Sequence, residues 1–309
     1  MVDRIAADLP EEPRSGKTQF TKRPIEEHIG GHPANVAIDL VKLGIPPREI
    51  GVVAAVGKDS GGEFIERTIR QHGLHNFLKR VHTPTGQNLI LVPQGRDRSF
   101  NIAPGANLEL TAHHVKRVLE QENPKVLSVR PGYSGIDLAM ESILEDLQDT
   151  FILLDLMKPF NKEWSYILPS IKYATAVHCN DTEAMKITGQ DTVEDACNAF
   201  LKEGARMIFI TNGEYGAQLT TETHTLTQQA FDVKTIDPTG CGDAFCAGII
   251  KKIIDWDALE APERLPEKRL AEILRYAQAV GAACATGIGT TAGVSQEKVE
   301  EILCRKKKE

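Results

Sequence analysis

The chain has 309 residues, of which 41% are apolar and 26% are charged, and its formal net charge is −7. This length suffices for one large α/β domain or two small ones. No apolar run is long enough to cross a membrane, nothing at the start resembles a secretion signal, and the acidic balance argues against nucleic acid as the main partner. The six cysteines lack C-x-x-C spacing, which fits reduced thiols of a cytoplasmic protein better than disulfides or zinc ligands.

Short apolar runs alternate with helical patterns along the chain. The pattern predicts buried strands at 50–56, 126–129, 151–156, 175–178 and 207–211. It predicts helices at 33–43, 62–71, 112–121, 136–147, 181–188 and 193–202, and three more at 240–254, 267–286 and 295–304. This alternation is typical of a mostly parallel central sheet with helices on both faces.

Two segments, 17–29 and 86–103, break the alternation. Both have the pattern of strands with polar exposure, and the second contains a turn at Pro93-Gln94-Gly95. We expect these strands to form a small lid over the edge of the sheet. Residues 1–16, 30–85 and 104–309 are then expected to form the main α/β domain.

The most informative stretch is Asp-Pro-Thr-Gly-Cys-Gly-Asp at 237–243, which opens an apolar helical run. Gly240, Cys241 and Gly242 precede Asp243, and a helix that begins there leaves backbone N–H groups without intrahelical partners. These donors and the positive end of the helix dipole form an anion site. A carboxylate beside bound phosphate indicates a general base for phosphoryl transfer. The alternative is a glycine-rich helix start with an ordinary N-terminal Asp.

Two motifs combine a polar side chain with a helix start. In the first, Gly30 and Gly31 let the backbone approach a ligand, and Asn35 can bind a polyol; the alternative is a turn with a helix cap. In the second, Asn180 and Glu183 follow a strand at the sheet edge where ligands bind in open α/β folds. Glu183 could orient water around Mg²⁺, and a capping pattern is the alternative.

Three glycine-containing segments are less specific. Thr211, Gly213 and Gly216 join two strands, where they could admit a nucleotide phosphate or form a plain hairpin. Thr286-Gly287-Ile288-Gly289 follows a long Ala-rich helix, for which a glycine C-cap is the default. Ser15-Gly16-Lys17-Thr18 is similar to the end of a P-loop but lacks the glycine five positions before Gly16, so we regard it as a chance match.

Taken in order, the motifs resemble those of the ribokinase family, also called the PfkB carbohydrate kinases. Gly-Gly-x-x-x-Asn, Asn-x-x-Glu, Thr-x-Gly-x-x-Gly-Ala and Asp-x-Thr-Gly-x-Gly-Asp-x-Phe occur at 30–35, 180–183, 211–217 and 237–245, and 104–107 resembles the stretch after that family's lid. The resemblance covers 2–300. It implies a ribokinase-like three-layer α/β sandwich with a small β-strand lid, a nucleotide-binding main domain, and transfer of a nucleotide γ-phosphate to a sugar-type hydroxyl.

The resemblance also implies a role for each matching residue. Asp243 would be the base, and the amides of Gly240, Cys241 and Gly242 would hold the transferring phosphoryl group. The acceptor would contact Gly30, Gly31, Asn35 and Asn107, and the nucleotide would contact Asn180, Thr211, Gly213, Gly216 and Gly289. Mg²⁺ would be held through water by Glu183 and Asn180, and Asp237 and Thr239 match part of a monovalent-cation (K⁺) site. ATP is the expected donor, with ADP as the alternative.

The sequence determines the acceptor less well. Arg98 in the lid and Arg130 are candidates for binding the carboxylate or phosphate of a charged acceptor, and structural salt bridges are the alternative. A nucleoside kinase, or a non-catalytic sugar- or nucleotide-binding protein on the same fold, are alternatives for the whole chain. Because open strand edges need covering, we expect a homodimer that pairs two lids.

The start of the chain departs from the family pattern. Members usually begin with an apolar strand that ends in Gly, followed by an Asp that grips the sugar, whereas this chain begins Met-Val-Asp-Arg-Ile. We therefore expect that this strand is absent, that Asp3 is the sugar-binding Asp, and that the chain is truncated or its start was assigned too late. Cys241 stands where the family often has Ala, and a thiol beside the anion site is expected to be sensitive to oxidation.

Overall fold

Buried strand residues alternate between two apolar clusters, which places the main sheet between two layers of helices. In the strand Phe151–Asp155, Phe151 and Leu153 lie in one cluster, and Ile152 and Leu154 lie in the other. This is the two-residue period of a strand whose faces are both covered. The computed structural model describes residues 1–94, 98–147 and 149–305.

The described elements follow one another in the order that the sequence pattern predicts, with three additional strands and one additional short α-helix. In chain order they are β1 (Val2–Leu9), β2 (Glu26–Ile29), α1 (His32–Lys42), β3 (Gly51–Gly57), α2 (Ser60–Gln71), β4 (His75–Val81), β5 (Gln87–Pro93), β6 (Ser99–Ala103), α3 (Ala112–Glu122), β7 (Val126–Val129), α4 (Met140–Leu144), β8 (Phe151–Asp155), α5 (Leu168–Ile171), β9 (Ala176–Asn180), α6 (Asp181–Thr188), α7 (Val193–Lys202), β10 (Met207–Thr211), β11 (Ala217–Thr220), β12 (Thr225–Gln228), α8 (Cys241–Asp255), α9 (Glu267–Cys284) and α10 (Gln296–Cys304).

The main sheet has six strands in the order β12-β11-β10-β9-β8-β7. Strands β7 to β10 are parallel, and β11 and β12 continue the sheet as an antiparallel hairpin. Strands β3 and β4 form a separate parallel pair. The expected α/β architecture with a mostly parallel sheet is confirmed.

Each face of the sheet is covered by its own set of helices. One apolar cluster contains α1, α8, α9 and α10, and the other contains α4, α6 and α7. None of the helices in the described part of the chain is long and apolar enough to cross a bilayer.

A second sheet of four strands has the order β2-β1-β5-β6. Strand β1 pairs antiparallel with β2 and parallel with β5, and β6 pairs antiparallel with β5. We call this sheet the lid. Strands β5 and β6 lie in this sheet, and the segment 17–29 contributes only its last four residues, as β2. Gly95 of the predicted turn lies outside the described residues.

The structure corrects the expectation that the chain has no opening strand. Val2–Leu9 is a strand, and it lies at the centre of the lid, although residues 1–16 were assigned to the main domain. The sequence pattern did not show this because the buried residues of β1 include Asp3, which breaks the apolar alternation. The complete set of domain boundaries stays a prediction.

Two further strands, β4 and β12, were not predicted, and one helix is shorter than expected. Most residues of β4 and β12 are exposed or half-buried, so their sequences carry no strong apolar alternation. The predicted helix 136–147 is a 3₁₀ turn, Asp137–Ala139, followed by the short α4. The P-loop-like Ser15-Gly16-Lys17-Thr18 forms neither a strand nor a helix, which agrees with our interpretation of it as a chance match.

Candidate active site

A tight turn before α8 forms the anion loop, which we define as Gly240, Cys241 and Gly242. Gly240 has φ +84°, and a Cβ at this position would lie 2.3 Å from the carbonyl oxygen of Thr290. The turn therefore requires glycine for both its backbone conformation and its packing. Since α8 begins at Cys241 and runs for 15 residues, its first amides lack intrahelical partners. The Cys241 amide donates to the Pro238 carbonyl at 3.3 Å, which leaves the amides that follow it for an anion.

Asp237 ties this loop to the segment after α9. Its Oδ1 accepts a hydrogen bond from the amide of Thr239 at 2.9 Å, and its Oδ2 accepts one from the amide of Gly289 at 3.0 Å. Asp237 and Thr239 are both buried, and the Thr239 hydroxyl has no hydrogen-bond partner among the described residues. A buried carboxylate beside an unsatisfied oxygen is a suitable environment for a cation.

Asp243 lies in the first turn of α8 and is held by three side chains. Its Oδ1 accepts from His32 Nδ1 at 2.9 Å and from Arg130 Nη2 at 2.7 Å. Its Oδ2 accepts from Asn35 Nδ2 at 2.7 Å. The base candidate is thus joined directly to Asn35, the polar residue of the N-terminal glycine motif.

Asp155, at the end of β8, holds the other side of the same group of charges. It accepts from Arg130 Nε at 2.6 Å and also pairs with Arg130 Nη2. His178 Nδ1 lies 2.7 Å from its Oδ1, and His32 Nδ1 lies 2.9 Å from its Oδ2. We call His32, Arg130, Asp155, His178 and Asp243 the ion cluster.

The charges of the ion cluster stabilise one another. Burial alone would raise the pKa of Asp155, but Arg130, His32 and His178 outweigh it and hold this pKa well below the ordinary value. Burial likewise opposes the ionised form of Asp243, and Arg130 and His32 lower its pKa nevertheless. Burial would lower the pKa of His32, but Asp155 and Asp243 raise it. Both carboxylates are therefore ionised at neutral pH.

Polar groups on the lid face the same cleft. Asp3 of β1 and Asn88 of β5 are paired in register. Both are buried, and each has a side-chain oxygen with no hydrogen-bond partner among the described residues. A Cβ on Gly30 would lie 2.2 Å from the Asp3 carboxyl carbon, so Gly30 is what allows Asp3 to occupy this position. Unsatisfied buried oxygens are suited to receive the hydroxyls of a ligand.

The environment of Asp3 makes its charge depend on pH near neutrality. Burial raises the pKa of Asp3 to about 6, although the nearby amino terminus and Asn88 pull it down. Asp3 thus ionises about two units above an ordinary Asp. An ionised Asp3 accepts hydrogen bonds from two hydroxyls, whereas the protonated form must donate one.

The other predicted acceptor residues have different positions. Arg98 Nη2 donates to the carbonyl of Pro238 at 3.2 Å, so the lid touches the chain just before the anion loop. Asn107 donates to the carbonyl of Pro104 at 2.8 Å, which directs its amide into its own turn. Gly31 has φ +93° and begins α1 as its N-cap.

Asn180 and Glu183 form a capping box at the start of α6. Asn180 Oδ1 accepts from the Glu183 amide at 2.8 Å, and Glu183 Oε2 accepts from the Asn180 amide at 3.1 Å. Burial, the largest influence, raises the pKa of Glu183. The capping bond uses one carboxylate oxygen, so the donor set fits a Mg²⁺ ion that keeps several of its waters.

The remaining nucleotide candidates are spread over two loops. Thr211 Oγ1 lies 3.4 Å from His178 Nε2, at the end of β10. Gly213 has open space around it, whereas a Cβ on Gly216 would lie 2.0 Å from the carbonyl of Gln228, as the β11–β12 hairpin requires. Gly289 packs against His28 of the lid, where a Cβ would lie 2.7 Å from the ring.

Sequence reasoning did not select four residues that the structure places at this site: His32, Asp155, His178 and Asn88. His32 lies inside the glycine motif 30–35, and Asp155 and His178 lie at the carboxyl ends of neighbouring parallel strands, directly paired in register. The rule that ligands bind at these strand ends was an available signal. Asn88 gave none, because it lies among apolar residues in a lid strand.

Comparison with known proteins identifies the family. The model of the family described as "pfkB family carbohydrate kinase" matches residues 1–297. The chain belongs to the pfkB family of carbohydrate kinases. It is therefore an enzyme that transfers a phosphoryl group to a sugar-type acceptor, and the non-catalytic alternative is not favoured.

Curated relatives match nearly the whole chain of this pfkB protein. An ATP-dependent 6-phosphofructokinase of Thermoanaerobacterium thermosaccharolyticum is 24% identical over 91% of this chain and 87% of the relative. A fructokinase of Solanum tuberosum is 28% identical over 90% of this chain and 85% of the relative.

Solved structures share the fold. A ribokinase from Giardia lamblia superposes with a TM-score of 0.83 at 21% identity, covering 97% of this chain and 96% of that one. A putative ribokinase II from E. coli, solved in complex with ATP and Mg²⁺, superposes with a TM-score of 0.76 at 20% identity, covering 98% and 96%. The ribokinase-like three-layer fold is confirmed.

The substitution Asp3→Asn tests the raised pKa of Asp3. With a folded pKa of about 6 and an ordinary unfolded value, the buried charge costs stability above pH 6, and the cost falls as the pH drops from 6 toward 4. The variant should therefore exceed the wild type in free energy of unfolding by about 1–3 kcal/mol at pH 8, and by less at pH 5. Urea unfolding at both pH values measures this difference.

Asp8→Asn provides the control, because Asp8 lies near the end of the same strand with a partly exposed side chain that pairs with Arg23. This variant should show no such gain at pH 8. A difference between Asp3→Asn and the wild type that is the same at pH 5 and pH 8 would contradict the assignment.

Proposed function

We propose that Asp243 is the general base of a phosphoryl transfer from MgATP to a hydroxyl of a sugar. The observation that carries this proposal is the position of Asp243, which adjoins the anion loop on one side and is bonded to Asn35 at 2.7 Å on the other. Asp243 takes the proton of the acceptor hydroxyl as its oxygen attacks the γ-phosphorus, and the bond to the leaving ADP oxygen breaks. The amides of the anion loop stabilise the charge on the phosphoryl group.

The acceptor fits an uncharged sugar better than a sugar acid or a sugar phosphate. Asp3 and Asn88 each offer a side-chain oxygen without a hydrogen-bond partner among the described residues, which matches the hydroxyls of a sugar. Arg130 is already paired with two buried carboxylates, and Arg98 Nη2 donates to a backbone carbonyl. The relatives include a fructokinase and a ribokinase, which supports a neutral hexose or pentose as the acceptor. They also include a 6-phosphofructokinase, so sugar phosphates are tested as acceptors as well.

Two cations are part of the proposal. Glu183 and Asn180 are suited to hold Mg²⁺ through water, which would neutralise the phosphates of ATP when bound. Asp237 and the unsatisfied hydroxyl of Thr239 are suited to a K⁺ ion, whose charge would balance the buried Asp237 carboxylate. Gly213 and Thr211 would lie beside the nucleotide.

The lid supports a homodimer. On the edge strand β6, Phe100 and Ile102 are 46% and 37% exposed, and they pair in register with the buried Ile90 and Asn88 of β5. An edge strand with exposed apolar side chains is a site for self-association. The six thiols, none of which forms a disulfide, support a cytoplasmic location.

The activity is tested with ATP, and separately ADP, against a panel of sugars, sugar phosphates, sugar acids and nucleosides. We expect turnover of neutral sugars with ATP, and a loss of kcat by a factor of about 10²–10⁴ in Asp243→Asn, as for removal of a general base. Asp255→Asn, at the far end of the same helix and paired with Lys251, should keep wild-type activity. Turnover that survives in Asp243→Asn would refute the role of Asp243, and turnover of sugar phosphates alone would refute the acceptor class.

The cation proposal is tested by titration of Mg²⁺ in the same assay. Glu183→Gln should raise the Mg²⁺ concentration for half-maximal rate by roughly 10–100-fold, as for loss of a group that orients metal-bound water. Asp181→Asn, on the same helix turn, is the control. Replacing K⁺ by tetramethylammonium should lower the rate of the wild type but not that of Asp237→Asn. An unchanged Mg²⁺ requirement in Glu183→Gln would remove it from the metal site.

The dimer is tested by sedimentation equilibrium. We expect the mass of two chains for the wild type and of one chain for Ile102→Lys, because a charge at the lid edge opposes pairing. Leu138→Lys changes a side chain that is 82% exposed in the main domain and should leave the mass unchanged. A monomeric wild type would overturn the proposal.

A further inference from the structure

Arg130 lies directly beside the anion loop. Its Nη2 is 2.7 Å from Asp243 Oδ1, and a Cβ placed on Gly242 would lie 3.8 Å from the same nitrogen. The side chain of Arg130 is 22% exposed, whereas the other members of the ion cluster are exposed by 4% or less. Arg130 is thus the member of the cluster that faces the cleft, at the opening where a phosphoryl group would enter.

We propose that Arg130 is a catalytic residue, which rests between Asp155 and Asp243 in the free enzyme and turns its Nη2 onto the transferring phosphoryl group. This inference rests on the proposed function. It assigns to Arg130 a contact with the donor phosphate, in place of a contact with a charged acceptor.

The resting arrangement leaves one oxygen of the base without a free lone pair. Asp243 Oδ1 accepts from both His32 and Arg130, which is the full capacity of a carboxylate oxygen directed at two donors. The same two cations lower the pKa of Asp243, and a weaker base removes a proton less efficiently. Departure of Arg130 would therefore free a lone pair on Oδ1 and strengthen the base at once.

The geometry around Asp155 allows this movement without disrupting the cluster. Arg130 Nε donates to Asp155 at 2.6 Å, independently of the Nη2 contacts. Asp155 is fixed in turn by His178, which stacks on Phe245 with ring centroids 5.1 Å apart. The Nε bond can therefore persist as a pivot while Nη2 exchanges a carboxylate oxygen for a phosphoryl oxygen.

Asp243 has a cationic partner in both positions of Arg130. His32 remains within 2.9 Å of both Asp155 and Asp243, so Asp243 keeps a cationic partner when Arg130 turns away. The other titratable groups that interact with Asp243 include Tyr133, Cys246 and Cys284, whose raised pKa values keep them neutral at pH 7. They also include the carboxyl groups of Asp39 and Asp3, whose pKa values burial raises. The phosphoryl group would gain a full positive charge in addition to the partial charge of the helix N-terminus.

The kinetic test compares Arg130→Met and Arg130→Lys with the wild type, using the neutral acceptor that the panel identifies. We expect kcat to fall by about 10²–10³ in Arg130→Met, the loss typical of one transition-state donor, with acceptor KM changed by less than about threefold, and partial recovery in Arg130→Lys. The acid limb of the profile of kcat/KM against pH should move to higher pH in Arg130→Met, because Asp243 loses a cation. A role that is only structural would lower the active fraction without lowering kcat per active site.

A binding test is independent of turnover. ADP with Mg²⁺ and fluoroaluminate mimics the phosphoryl group during its transfer. We expect Arg130→Met to weaken the binding of fluoroaluminate by at least tenfold, while the affinity for ADP alone is unchanged. Arg130→Met leaves Asp155 without its main cationic partner, which could prevent folding. The double variant Arg130→Met/Asp155→Asn removes one cation and one anion together, and it replaces the single variant if that variant does not fold. Arg206→Met, at an arginine that pairs with Glu263 and Thr175, is the control.

Two results would overturn the inference. One is an unchanged kcat and fluoroaluminate affinity in folded Arg130→Met, and the other is a loss confined to the KM of charged acceptors. A wild type that turns over no acceptor would instead refute the proposed function, and the fluoroaluminate comparison would still decide whether Arg130 contacts the phosphoryl mimic.

Discussion

The arrangement of the site depends on the buried ion cluster, in which two carboxylates share two cationic side chains and a second histidine. Its members come from α1, the end of β7, β8, β9 and α8, so the cluster connects the helical layer that contains α1 and α8 to the edge of the sheet. Removing one member of a buried pair leaves an uncompensated charge, at a cost of roughly 3–5 kcal/mol. The same contacts that fix the base therefore also fix the helix whose N-terminus forms the anion site.

Two kinds of polar group without protein partners lie around this cluster, and each suits a different part of the substrates. On the lid, Asp3 and Asn88 carry oxygens that lack protein partners among the described residues, which suits a ligand with several hydroxyls. On the main domain, the first turn of α8 presents amides, which suit a phosphate. Asp243 lies between the two, joined to Asn35 on one side and to the anion loop on the other, as required of a group that passes a proton during phosphoryl transfer.

The fold and the centre of the site could be predicted because their signals are local. Apolar runs and helical periods gave the sheet and its helices, and the glycines around Asp243 gave the anion loop, since Gly240 must adopt a positive φ there. The contacts within the ion cluster could not be predicted, because His32, Asp155 and His178 are far apart in sequence and meet only through strand order. The place of β1 in the lid was missed for a similar reason: its buried face includes Asp3, a polar residue that has meaning only opposite Asn88.

The central claim is that Arg130 Nη2 leaves Asp243 and binds the phosphoryl group, which frees Asp243 for catalysis. The most direct test is a crystal structure with ADP, Mg²⁺, fluoroaluminate and the acceptor sugar. The account predicts that Arg130 Nη2 lies within hydrogen-bonding distance of the fluoroaluminate, that Nε remains on Asp155, and that an acceptor hydroxyl takes the vacated position on Asp243 Oδ1. Arg130 still bonded to Asp243, with the fluoroaluminate held by loop amides and Mg²⁺ alone, would contradict it.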